Sequence, residues 1–144
     1  NVGVGVSQVL PILVMGLIAD EGTTLLYEQP EIHLHPATQA RIADFFLGLI
    51  RTEKQCIIET HSEHFVNRVR LRIAENEDPA DPVGYPGNVQ IMFAEKRAGS
   101  TQYREVEINE YGAIVDWPAG FFDESQREAE DLIRAALAKR DYNA

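Results

Sequence analysis

Apolar positions in this chain form two short uninterrupted runs and several longer periodic ones. Leu25-Leu26-Tyr27 and Cys56-Ile57-Ile58 are too short for helices, and each ends abruptly in a glutamate followed by polar residues. Such runs predict buried central strands of a parallel sheet, at about 24–28 and 54–60. Strands of that kind deliver polar groups to the sheet's carboxyl edge, where α/β proteins bind ligands. Between them, Ile42, Ala43, Phe45, Phe46, Leu49 and Ile50 recur at helical spacing behind Pro36, which predicts a helix over about 36–51. Ser62 then caps a helix whose face is Phe65, Val66, Val69 and Ile73. Alternation of this kind implies an α/β fold with crossover connections.

The flanking segments are less regular. The glycine-rich residues 1–6 predict a loop, and Ser7 an N-cap for a buried helix over about 8–19 with Pro11 in its first turn. Residues 75–88 are acidic, with three prolines and two glycines and no apolar period, and predict a linker. Two strands are expected at about 89–95 and 102–108, joined by residues 96–100; Val106 and Ile108 alternate with Glu105 and Glu107 as in a half-buried antiparallel strand. A turn at 109–112 follows. The aromatic stretch 117–122 is expected to dock onto this sheet, and a last helix runs to about Arg140, acidic early and basic late. The expected divisions are 1–75, a linker at 76–88, and 89–144.

Composition narrows the function classes. A net charge of −10 opposes a broad nucleic-acid-binding face. Arg68, Arg70 and Arg72 are the local exception, read as a solvated helix side or a phosphate contact. The single cysteine, Cys56, excludes an intrachain disulfide, fits a reducing cytosol and reads as core packing. No segment reaches the roughly 18 apolar residues of a membrane span, so a cytoplasmic location without membrane contact is expected. The chain opens at Asn1 in what reads as a functional loop, and is expected to be part of a longer polypeptide.

Glu28-Gln29-Pro30-Glu31-Ile32-His33-Leu34-His35-Pro36, with His61 closing the next strand, resembles ABC-type P-loop ATPases. The nearer likeness is to the SMC- and OLD-like branch, shared with chromosome-maintenance, recombination and phage-defence ATPases. The resemblance implies the parallel-sheet core of a P-loop NTPase, here its C-terminal lobe, with a small antiparallel hairpin and a C-terminal helix behind it. Glu28 would correspond to the Walker B carboxylate that holds Mg²⁺, an ion satisfied by one or two carboxylates plus phosphate oxygens and water. Gln29 stands where many relatives carry the glutamate that polarises the attacking water; an amide orients water but accepts no proton. Glu31 is a substitute base in that case, and His61 would be the switch histidine donating to the γ-phosphate. Gln29, Glu31 and His61 are therefore the candidate catalytic residues.

By the same resemblance, residues 3–8 match the signature loop, in which Gly5, Ser7 and Gln8 reach the nucleotide of a second subunit. His35 falls in the D-loop, where subunits cross. The tail, from Ile108 through Phe122, resembles a small domain of unknown function behind predicted bacterial ATPases of this branch. The pairs His33/His35 and His61/His64 admit a zinc reading, which requires tetrahedral convergence.

No Gly-x-x-x-x-Gly-Lys-Ser/Thr occurs in the sequence, so the loop that cradles the α- and β-phosphates is expected from an N-terminal lobe. Nor is there the acidic cluster that a Toprim nuclease needs. The implied function is an ATPase binding Mg-ATP at a head-to-tail homodimer interface and driving a DNA-linked, nuclease or defence partner, the present chain alone being inactive. The alternative is a non-catalytic nucleotide-sensing or dimerisation scaffold in which Gln29 has ended turnover.

Overall fold

The computed structural model describes residues 3–78, 80–84, 88–97 and 99–142, with side chains at 3–4, 84, 125–126, 138 and 140–142 excepted. Residues 1–2 of the glycine-rich opening, Ala98 of the predicted hairpin loop, and positions 79 and 85–87 of the predicted linker lie outside them. The elements are α1 (Gly3–Ile18), β1 (Thr24–Glu28), α2 (Pro36–Ile50), β2 (Gln55–Glu59), α3 (Glu63–Ala74), a 3-10 turn (Pro82–Gly84), β3 (Ile91–Arg97), β4 (Ser100–Val106) and α4 (Glu124–Tyr142). They divide into two units, Asn1–Gln90 with Ile108–Ile114, and Ile91–Glu107 with Val115–Ala144.

In the first unit β1 and β2 pair in parallel, from Thr24 opposite Gln55 to Glu28 opposite Glu59. The mixed α/β expectation holds, with this parallel pair and a separate antiparallel one. Alternation turns Leu25 and Tyr27 into a core that also holds Leu34, Ile42, Phe46, Leu49, Phe65 and Val69. Phe46 sits at its centre, its ring 4.8 Å from that of Tyr27 and 5.9 Å from that of Phe65. Within 75–88, Val83 is buried in the same core and Arg51 donates to Asp81 at 2.7 Å. That guanidinium, with help from the Val83 amide, holds the Asp81 carboxyl below the usual carboxylate range.

Three local expectations are corrected. The strands are covered on one face only: Leu26 is 71% and Ile57 52% exposed, because no described layer packs on that side. Secondly, α1 begins at Gly3 rather than after Ser7, which places Ser7 inside the helix and Pro11 well past its first turn. Packing overrides the glycines' weak helix preference. A Cβ on Gly5 would lie 3.6 Å from Leu34, and one on Gly16 only 2.6 Å from Phe45, so the small residues mark the side of α1 that approaches its neighbours. Thirdly, β3 and β4 are offset from the predicted strands because the turn is tighter. Arg97 pairs with Ser100, and Gly99 takes the left-handed conformation (φ 88°) that a two-residue hairpin requires.

The second unit is built on this antiparallel pair. Phe93 of β3 meets Phe121 edge-on at 5.4 Å, and Trp117 Nε1 donates to the Phe121 carbonyl. The aromatic stretch therefore docks on the hairpin, as its composition predicts. α4 follows from Glu124. Among the described residues, no helix is long and apolar enough to cross a membrane.

The arginines of α3 are engaged internally. Arg72 pairs with Asp44 (2.8 Å) and Glu75, Arg68 approaches Asp44 at 3.4 Å, and Arg70 donates to the Gly112 carbonyl at 2.8 Å. These bonds staple α3 to α2 and to the 108–114 segment, which accounts for the cluster without a phosphate.

Two predictions follow from the packing. Gly112 has φ 71°, and a Cβ there would run into the Arg70 carbonyl, whereas Gly48 in α2 has open space around it. Urea unfolding is expected to show Gly112→Ala destabilised by about 2 kcal/mol or more and Gly48→Ala stabilised by up to about 1 kcal/mol. Burial pushes the Cys56 thiol up, outweighing the opposing pull of Lys54. Its alkylation by iodoacetamide in the folded chain is therefore expected to be slow at neutral pH and to rise only above the pH range where a free thiol reacts. By linkage, stability is unaffected by this thiol below its unfolded pKa and falls as pH climbs through the raised folded value.

Candidate functional site

In-register parallel pairing brings the carboxyl ends of β1 and β2 to one rim. Glu28 stands beside Glu59, and the Gln29 amide donates to the Glu59 carbonyl at 2.8 Å, extending the ladder by one residue. The first chain then turns sharply. Gln29 (φ 44°) and His33 (φ 61°) are both left-handed, with Ile32 N bonded to Gln29 O and Leu34 N to Glu31 O, each at 3.1 Å. Left-handed backbone at non-glycine residues persists only where its surroundings hold it, and such positions concentrate at functional sites.

The side chains at the rim meet on Glu59. Its Oε1 lies 3.1 Å from His61 Nε2 and accepts from Gln29 Nε2 at 3.4 Å. His61 is 76% exposed at its side chain, so the imidazole reaches outward and keeps an open face. Glu28 is exposed on the uncovered sheet face. Glu59 was missed by sequence reasoning, although the signal was present, since it ends the second apolar run as Glu28 ends the first.

Beneath them lies a second layer. Glu31 is 5% exposed, and its Oε1 accepts from Thr60 Oγ1 at 2.7 Å and from the His61 amide at 2.9 Å. Its Oε2 has no hydrogen-bond partner among the described residues. Ser62 N donates to Thr60 Oγ1 (3.1 Å) and Ser62 Oγ to Gln39 Oε1 (2.6 Å), while Gln39 Nε2 donates to the Leu34 carbonyl (2.9 Å). Ser62 Oγ also accepts from Phe65 N at 3.0 Å, the predicted cap of α3. Thr60, Ser62 and Gln39 carry no signal in the sequence that would mark them as members of one network with Glu31.

An open cleft of about 260 Å³ is lined by Gln29, Glu31, Ile32, His33, Gln39, His61 and Ser62. It thus unites the three candidate catalytic residues; Glu28, Gly5, Ser7, Gln8 and His35 do not line it. Gly5 lies in the first turn of α1, and Ser7 and Gln8 beyond it, where amides serve the helix itself. His35 is the N-cap of α2, its Nδ1 accepting from Ala37 N at 3.3 Å.

Chemically, the cleft holds imidazole and amide groups, of which Gln29 Nε2 and His61 Nε2 face Glu59 and Gln39 Nε2 bonds the Leu34 carbonyl. Its one hydroxyl, Ser62, is already bonded and buried, so no nucleophile is presented. Among the described residues no group of three His, Cys, Asp or Glu assembles for a metal, which leaves the zinc reading of His33/His35 and His61/His64 unsupported. The exposed Glu28 carboxylate does fit Mg²⁺, an ion that needs little more from protein when phosphate oxygens and water complete its shell.

Residues 1–66 match the family model described as an AAA ATPase domain, and residues 85–132 match a protein family of unknown function, DUF3696. No curated protein and no solved structure gives a significant match. Together the two family matches support an ATPase-like part of the AAA family followed by a C-terminal domain of unknown function.

Proposed function

We propose that the chain is the C-terminal lobe of an ABC-type, SMC- and OLD-like ATPase with a P-loop core, which binds Mg-ATP at the rim formed by β1 and β2. The observation that carries this reading is the parallel register, Glu28 opposite Glu59, with Gln29 and His61 following at the same edge. In this reading Glu28 holds Mg²⁺, which when bound neutralises phosphate charge. Gln29 orients the attacking water, and His61 donates an N–H toward the γ-phosphate. Gly5, Ser7, Gln8 and His35 belong to the contact with a second subunit, forming a head-to-tail dimer whose closure drives a DNA-linked, nuclease or defence partner. The chain's own N-terminal lobe supplies the phosphate-cradling loop. Support for a covering body comes from exposed apolar side chains, Leu26 and Ile57 on the open strand face and Leu10, Leu17 and Ile18 on α1, each more than half exposed.

A second reading, a nucleotide-sensing scaffold without turnover, is favoured by one feature. The Gln29 amide already donates to Glu59 and has no basic atom to accept a proton from water. The full-length protein carrying Gln29→Glu separates the two. An ATPase rate raised by about tenfold or more is expected, since a positioned base contributes about 10²–10⁴-fold, and Glu28→Gln is expected to abolish it. Appreciable turnover left unchanged by Gln29→Glu would show that another base already serves.

A further inference from the structure

We propose that Glu31 is a positioning residue: its carboxylate closes a ring of hydrogen bonds that joins the two strand-end turns and fixes the main chain carrying His61. The ring can be followed bond by bond. Glu31 Oε1 takes the Thr60 hydroxyl and the His61 amide, and Ser62 N donates to the same Thr60 oxygen. Ser62 Oγ passes to Gln39, Gln39 to the Leu34 carbonyl, and Leu34 N returns to the Glu31 carbonyl at 3.1 Å. The stretch 29–39 and the distant segment 60–62 are thereby locked to one another. Linked hydrogen bonds in a low-dielectric setting polarise and strengthen one another.

This assigns Glu31 a part different from that of a base. Oε1 already accepts two donors, and Oε2, though without a partner, is shut away from solvent; the residue is 5% exposed beneath the rim, whereas the 76% exposed His61 side chain stands above it. What the ring requires of residue 31 is a hydrogen-bond acceptor at full side-chain length, not a proton acceptor. A glutamine supplies that; an aspartate, one methylene shorter, keeps the charge and loses the reach.

The link to turnover rests on the function proposed above, and the test separates the two. In the full-length protein, the ATPase kcat of Glu31→Gln is expected to exceed that of Glu31→Asp by about tenfold or more, misplacement of a reacting group by about 1 Å costing up to about 10²-fold. The KM for ATP is expected to move less than about twofold in either. A kcat ratio near or below one overturns the proposal. Should Glu31→Asp fail to fold, Thr60→Ser against Thr60→Val makes the same comparison at the other end of the bond, with the same two outcomes. If the wild-type protein hydrolyses no ATP, it is the proposed ATPase that has failed, and amide exchange at His61 decides the ring alone. Slow exchange in wild type and Glu31→Gln with about tenfold faster exchange in Glu31→Asp, the loss of roughly one hydrogen bond, supports it. Equal rates in all three overturn it.

Discussion

A buried carboxylate holding a neighbouring backbone is the constraint on which the rim depends. Strand pairing aligns Glu28 with Glu59, but the ladder ends one residue later, at Gln29. Beyond it the two chains leave in unrelated turns, and nothing in a β-ladder dictates where His61 should stand. Glu31 supplies the missing restraint by accepting the Thr60 hydroxyl and the His61 amide. The arrangement works in both directions. A polar group this far from solvent is costly unless hydrogen-bonded, so Glu31 needs those donors as much as the loop needs its acceptor. With the turn held from below, the left-handed backbone at Gln29 and His33 is tolerated.

The strands and the first helix present a contrast between their two sides. One face of β1 and β2 packs Leu25 and Tyr27 against α2; the other leaves Leu26 and Ile57 open, and α1 exposes Leu10, Leu17 and Ile18. A two-stranded sheet is marginal by itself and gains stability from the layers packed on it. The proposed ATP site has the same one-sided character. It offers an Mg²⁺ carboxylate and a γ-phosphate donor, and the sequence contains no loop for the remaining phosphates. Under the proposed function, one additional body would meet both needs, covering the apolar face while completing the grip on the triphosphate.

Much of the first unit was legible because strong local signals bound each element. Apolar runs ending in glutamate gave β1 and β2, Pro36 opened α2, and Ser62 capped α3, all within a residue or so of the structure. Where the reading slipped, tertiary packing or turn geometry outweighed local preference. Glycines that look like a loop at residues 3–6 are helical in α1, and Gly99 closes the hairpin in fewer residues than its flanking polar stretch implied. At the rim, the sequence marked the exposed ends of the strands but not what holds them. The partners of Glu31 are a threonine hydroxyl and a backbone amide about thirty residues away, with an ordinary glutamine on α2 closing the circuit. Neither spacing nor residue type advertises such a network; only the fold brings its members together. Likewise Asp44, unremarkable in sequence, turns an arginine cluster from a candidate phosphate contact into a helix staple.

The unusual amide at position 29 also makes physical sense once Glu59 is in view. Glu59 Oε1 receives Gln29 Nε2 and stands 3.1 Å from His61 Nε2, while Glu28 lies directly across the strand pair. A glutamate at position 29 would place a third carboxylate beside those two. Ionised, it would repel both and could offer Glu59 no hydrogen. With glutamine there, the same position donates, leaving Glu59 with partners from both turns and the rim with less uncompensated negative charge. Under the proposed function, the glutamine that weakens proton abstraction is thus the residue that Glu59 best accommodates. Residues 29 and 59 are better understood as a pair than as one altered base.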